Sequence, residues 1–173
     1  MDRTACVDLP DFPLQLLLRA HPDWRKTPVA VVADDRPQAE VQWASTSARA
    51  HGVLPGLRFA AALSLAPGLH AAPVPAQEVT AEVTAVAERL RAFTPEVEPS
   101  RDVPRVFWLD ASGVTRLWPS LRSWGEAVLA RLREDGFTAS LAMGFHRFGS
   151  FAVARNGRGL RILGSLEEER RLA

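Results

Sequence analysis

The stretch that most constrains this fold is Pro104-Arg105-Val106-Phe107-Trp108-Leu109-Asp110. It is short, mostly apolar and rich in β-branched and aromatic residues, with a proline in front and Ala111-Ser112-Gly113 behind. That pattern predicts a buried strand. A second strand-like run, Ala5-Cys6-Val7-Asp8-Leu9, opens the chain and ends near a carboxylate. Two such strands side by side present their terminal residues together, as two-metal phosphoryl-transfer sites do. Those sites need several carboxylates, because divalent ions about 4 Å apart must be balanced by oxygen ligands. The first strand supplies Asp8. The second supplies Arg105 and Val106 where carboxylates would be sought, and that mismatch governs the functional reading.

At 173 residues the chain makes one domain, or one compact domain with an inserted lobe. An apolar fraction of 47% is enough for a true core, and a formal charge of +1 excludes a nucleic-acid binder that works by net charge alone. The single cysteine, Cys6, lies in an apolar strand and has no internal partner for a disulfide, so a reducing, cytoplasmic setting is expected. No run approaches the roughly 18–20 apolar residues of a membrane span, and Met1-Asp2-Arg3-Thr4 lacks the layout of a signal peptide.

Along the chain, Phe12 to Ala20 has helical spacing and should stop at His21-Pro22, since a residue before proline avoids the α region. Val29 to Ala33 and Glu40 to Ala44 read as a hairpin. Ser45-Thr46-Ser47 offers N-caps for a short helix ended by Gly52, and Arg58 to Leu65 is a further helix. Ala71-Ala72-Pro73-Val74-Pro75 reads as a stiff linker between lobes. Val79, Val83, Val86 and Leu90 mark one face of a long helix, followed by a short strand at 96–98 and the strand of 103–110. Ser120 caps a second long helix to Glu134. Phe137 to Met143 is a strand, His146 to Arg155 a helix, Leu160 to Leu163 a strand, and a charged helix begins after Ser165. The fold class is α+β, a sheet with two long helices on one face.

With both strands placed, the chain resembles the translesion (Y-family) DNA polymerases over essentially its whole length. Cys6-Val7-Asp8-Leu9-Pro10-Asp11-Phe12 is similar to the family's first metal-binding strand. Lys26-Thr27-Pro28-Val29-Ala30-Val31 resembles the fingers strand, and Ser45 through Val53 the fingers segment that holds the nucleotide triphosphate. Phe107-Trp108-Leu109-Asp110 resembles the end of the second metal strand, and Ala142 through Arg155 the palm motif before the thumb. The resemblance implies a palm over 1–10 and 74–173, with a mixed sheet and two long helices on one face. A fingers lobe is inserted over 11–73. The helix-hairpin-helix thumb and little finger are absent, so the chain reads as the N-terminal part of a longer protein.

The same resemblance exposes departures. The family carries three metal-binding carboxylates, and only Asp8 matches. Arg105 and Val106 stand at the positions of the adjacent Asp-Glu pair. Pro13 replaces the steric-gate aromatic and Thr46 the triphosphate-contacting tyrosine. Arg49 keeps the motif's arginine, and Arg155 matches a later triphosphate-contacting lysine. This pattern is similar to the inactive, ImuB-type branch found in bacterial SOS mutagenesis cassettes. It implies no enzyme activity, no bound metal or cofactor, and an adaptor role in translesion synthesis. The implied partners are a small RecA-like, ImuA-type protein for this region. An error-prone replicative-type polymerase and the sliding clamp would bind through a C-terminal region. DNA binding by this region is expected to be weak or absent, and no membrane is implied.

Two rival readings follow from the same residues. One is an active polymerase using Asp8, Asp11 and Asp102 or Asp110 in a shifted arrangement. The other is a module that binds primer–template without chemistry, which would show a steep salt dependence. His51 and His146 lack zinc-site spacing and read as ordinary polar positions. Gly157-Arg158-Gly159 reads as a turn, the run Glu167–Arg171 as a solvated helix face, and Trp108, Trp118 and Trp124 as packing.

Overall fold

The structure, a computed structural model, describes residues 3–172. It divides into two units, residues 3–10 with 80–172, and residues 11–79. In chain order the elements are β1 (Thr4–Asp8), α1 (Phe12–Ala20), β2 (Val29–Val32), β3 (Val41–Ala44), α2 (Thr46–Ala50), α3 (Phe59–Leu65), β4 (His70–Ala72) and α4 (Ala76–Leu90). They continue with β5 (Val97–Pro99), β6 (Val106–Asp110), α5 (Leu121–Glu134), β7 (Ser140–Gly144), α6 (Arg147–Asn156), β8 (Gly159–Ile162) and α7 (Leu166–Leu172).

The first unit is built on a five-stranded sheet of order β5-β6-β1-β7-β8. The central strand β1 runs antiparallel to β6, from Thr4↔Asp110 to Asp8↔Val106, and antiparallel to β7, from Thr4↔Gly144 to Asp8↔Ser140. The last pair, β7 with β8, is parallel. Ala5, Cys6 and Val7 are fully buried, which is why β1 reads as a continuous apolar run instead of alternating. On one face Cys6, Val106, Trp108 and Ala142 pack with Phe151, Val153 and Ala154 of α6. On the other, α5 sits so close that a Cβ on Gly125 would lie 2.6 Å from both Met143 and Leu160. The end of α4 is tied to α5, where Trp124 Nε1 donates to Phe93 O at 3.0 Å and Arg89 Nε lies 3.7 Å from Asp135 Oδ2.

Helix α5 starts with a capping box between Ser120 and Ser123. It ends in a paired cap: Gly136 N donates to Arg133 O and Phe137 N to Leu132 O, with Gly136 at φ +84°. Phe137 is spent on that cap, so β7 begins at Ser140 and not at Phe137 as the sequence predicts.

The second unit holds a three-stranded sheet of order β3-β2-β4. Val29 and Val31 pack against Leu14 and Leu17 of α1. Ala30 and Val32 point the other way, into a cluster with Val41, Ala44, Ala48, Ala62 and Ala66. The stretch read as a stiff linker, Ala71–Pro75, is corrected: its start belongs to β4, which pairs in parallel with β2. Three residues, two of them alanine, carry no β-propensity signal, and the partner lies some 40 residues upstream.

Ser45 does double duty in this unit. Its Oγ accepts from Ala48 N at 3.2 Å, capping α2, and from Val29 N at 3.0 Å, tying the helix to β2. Replacing Ser45 with alanine is expected to cost about 1–2 kcal/mol, measured as a lower denaturation midpoint.

Candidate functional site

Antiparallel pairing of β1 and β6 sets Asp8 opposite Val106 at the end of both strands. Arg105 lies one residue before β6, and its carbonyl accepts from Leu9 N at 3.0 Å, which holds its backbone beside β1. From there the guanidinium turns onto Asp8. Arg105 Nη1 donates to Asp8 Oδ2 at 3.1 Å and lies 3.1 Å from Oδ1. The Asp8 side chain is only 1% exposed and that of Arg105 24%. Opposite charges at this separation attract by about 5 kcal/mol at an effective dielectric of ~20, before desolvation is subtracted.

Val106, the register partner of Asp8 and so on the same face of the sheet, packs in the apolar cluster around Cys6 and Ala142 and offers no ligand atom. The Cys6 thiol is pushed up to about 12, chiefly by burial and further by the Asp8 charge, with Arg105 opposing. It stays a neutral thiol and offers no thiolate. Asp110 sits at the opposite end of β6, paired with Thr4, about 13 Å along the strand from the Asp8 level. Its Oδ1 accepts from Ser112 N. Asp102 is on an exposed turn. These positions do not converge with Asp8, and among the described residues no group of three or more His, Cys, Asp or Glu is arranged to hold a metal ion. One buried carboxylate already covered by a guanidinium does not fit the divalent ions that the fold family implies.

In the second unit a cavity of about 300 Å³ is lined by Asp11, Arg25, Thr27, Ser45, Thr46 and Arg49, among others. Arg49 Nε donates to Ala44 O at 2.9 Å, and Nη2 lies 3.8 Å from Asp11 Oδ1. Asp11 is in the left-handed region at φ +48°, the one non-glycine residue so placed among those described.

The sequence matches the impB/mucB/samB family over residues 7–150, most of its length. The chain belongs to that family. No curated protein matches it. Among solved structures it is similar to a post-insertion binary complex of Dbh DNA polymerase, at 17% identity and a TM-score of 0.80, covering 98% of this chain and 50% of that one. It is similar also to DinB from Sulfolobus solfataricus, at 17% identity and TM-score 0.75, covering 93% and 48%. An insertion ternary complex of Dbh matches at 18% identity and TM-score 0.75, covering 96% and 49%. The chain thus spans about half the length of these polymerases. Its fold is that of the Y-family palm and fingers region, and the family's setting is translesion synthesis.

Within this family member, Arg155 lies near the end of α6, exposed, with its guanidinium 5.9 Å from the Phe151 ring. It belongs to the first unit and Arg49 to the second. Among the described residues no helix is long and apolar enough to cross a membrane. Trp124 is fully buried, whereas Trp108 and Trp118 are half-buried.

Two expectations need correction. The run Glu167–Arg171 is not wholly a solvated face, because Glu169 is only 3% exposed. His146 is more than an ordinary polar position, because its Nδ1 lies 2.9 Å from Glu169 Oε2. No local signal separates Glu169 from its acidic neighbours. The remote hint is Gly149, a helix position with no conformational need for glycine.

Proposed function

We propose that this chain is a non-catalytic, ImuB-type palm–fingers module that serves SOS-induced translesion synthesis through protein–protein contacts. The reading is carried by one observation, the Arg105 guanidinium on the buried Asp8 carboxylate where the Y-family resemblance leads one to expect Mg²⁺. A fixed cation at that spot repels a divalent ion and takes over its neutralising role for the strand end. Val106, at the place of the neighbouring carboxylate, supplies only packing.

A palm core kept intact around a site unsuited to metal favours a scaffold over an enzyme, since fold and activity are separable. The first-choice partner is the small RecA-like, ImuA-type protein. The error-prone polymerase and the sliding clamp engage other regions of the full protein. Co-purification of this chain with each candidate, read by size-exclusion chromatography, tests the reading. A stable complex with the RecA-like protein is expected, together with undiminished damage-induced mutagenesis in a strain carrying Asp8→Leu with Arg105→Leu, which removes both charges of the pair. Absence of any complex, or loss of mutagenesis in that double variant while it stays folded, overturns it.

A further inference from the structure

The buried carboxylate on α7 has no role in the site above, and its surroundings are built for it. Glu169 Oε1 accepts from two consecutive backbone amides, Phe145 N and His146 N, each at 3.0 Å. Oε2 lies 2.9 Å from His146 Nδ1. Successive N–H groups aimed at one oxygen form an anion-holding nest just ahead of α6, whose own N-cap, His146, makes no side-chain cap bond. Two glycines make room for the carboxylate. A Cβ on Gly144 would sit 2.3 Å from Glu169 Oε1, and one on Gly149 would sit 2.3 Å from Glu169 Cγ. Neither glycine has a positive φ, and Gly149 lies inside a helix, where glycine weakens helix formation. Space for Glu169 is the physical reason for both.

We infer that Glu169 is a latch: as a carboxylate it fixes α7 against the start of α6, and neutralising it frees α7 while the sheet stays folded. The inference stands apart from whether the palm is catalytic. The charged groups around the carboxylate are few. His146 faces it from the start of α6, and Arg3, on the β1 side, lies over the Phe145 ring and donates to Leu163 O. Glu168, its neighbour on α7, is engaged with Gly164 N. Burial pushes the Glu169 carboxyl up, but the bonds from His146 and Phe145 outweigh it and hold the group below the ordinary glutamate range. A depressed carboxyl contributes stability that is complete above the ordinary value and lost as pH falls through the lowered one. The latch is therefore closed at neutral pH and opens only in acid, below the ordinary glutamate range.

The test is hydrogen exchange on the whole chain at pH 7. With Glu169→Gln, the α7 amides are expected to exchange about 10- to 100-fold faster, while β1 and β7 keep their protection. Gly149→Ala, which crowds the carboxylate from the other side, should release α7 as well. In the wild-type chain, the Phe145 and His146 amide resonances and those of α7 should titrate together with one midpoint below about 4.3. Unchanged α7 exchange in Glu169→Gln overturns the latch. So does protection lost equally over β1 and β7, or Phe145 and His146 amides that titrate independently of α7.

Discussion

Replacing Arg105 with leucine is expected to cost about 3–5 kcal/mol of stability, the typical loss when one partner of a buried pair is removed. The Asp8 carboxylate would keep its buried place at the end of β1 without the guanidinium that covers it. The companion change separates this from a packing effect. Asp8→Leu with Arg105→Leu removes both charges and is expected to be near neutral or stabilising, since apolar replacements of a buried pair often are. Urea unfolding of the two single variants and the double variant gives the coupling directly. Additive losses would mean that the 3.1 Å contact contributes nothing.

Leu109→Asp is expected to abolish folding of the sheet unit. Leu109 is 1% exposed, in the strand register between Ala5 of β1 and Val97 of β5. A carboxylate there has no cation beside it in the strand register, and burying an unpaired charge exceeds the 4–5 kcal/mol that marks the severe tail of single substitutions. Loss of the cooperative thermal transition in circular dichroism is the readout. Leu109→Met, of similar volume, should cost less than about 1.5 kcal/mol and keep the transition. In cells, on the adaptor reading, Leu109→Asp should remove mutagenesis while Asp8→Leu with Arg105→Leu should not, because one unfolds the sheet unit and the other removes both charges of the buried pair together.

Strands with dense apolar runs were legible from the sequence because burial on both faces leaves a continuous signature, as in β1, β2 and β6. Helix starts at Ser45 and Ser120 were legible through their caps. β4 was not, since a three-residue parallel strand depends on a distant partner and not on its own residues. That Arg105 and Asp8 lie at neighbouring strand ends was legible from the two strand-like runs, whereas the guanidinium–carboxylate contact itself depends on tertiary packing. Glu169 stayed hidden because a buried acid in a run of three glutamates differs from the others only by tertiary contact.

Metal-dependent primer extension by the protein carrying this domain tests the central claim most directly. The assay uses Mg²⁺ or Mn²⁺ at millimolar concentration, all four deoxynucleotides and an Asp8→Asn control. The expected result is no extension above the protein-free background with either ion, and no difference between wild type and Asp8→Asn. Extension by the wild type that Asp8→Asn eliminates would contradict it, because Asp8 would then be a metal ligand and not the counter-ion of Arg105.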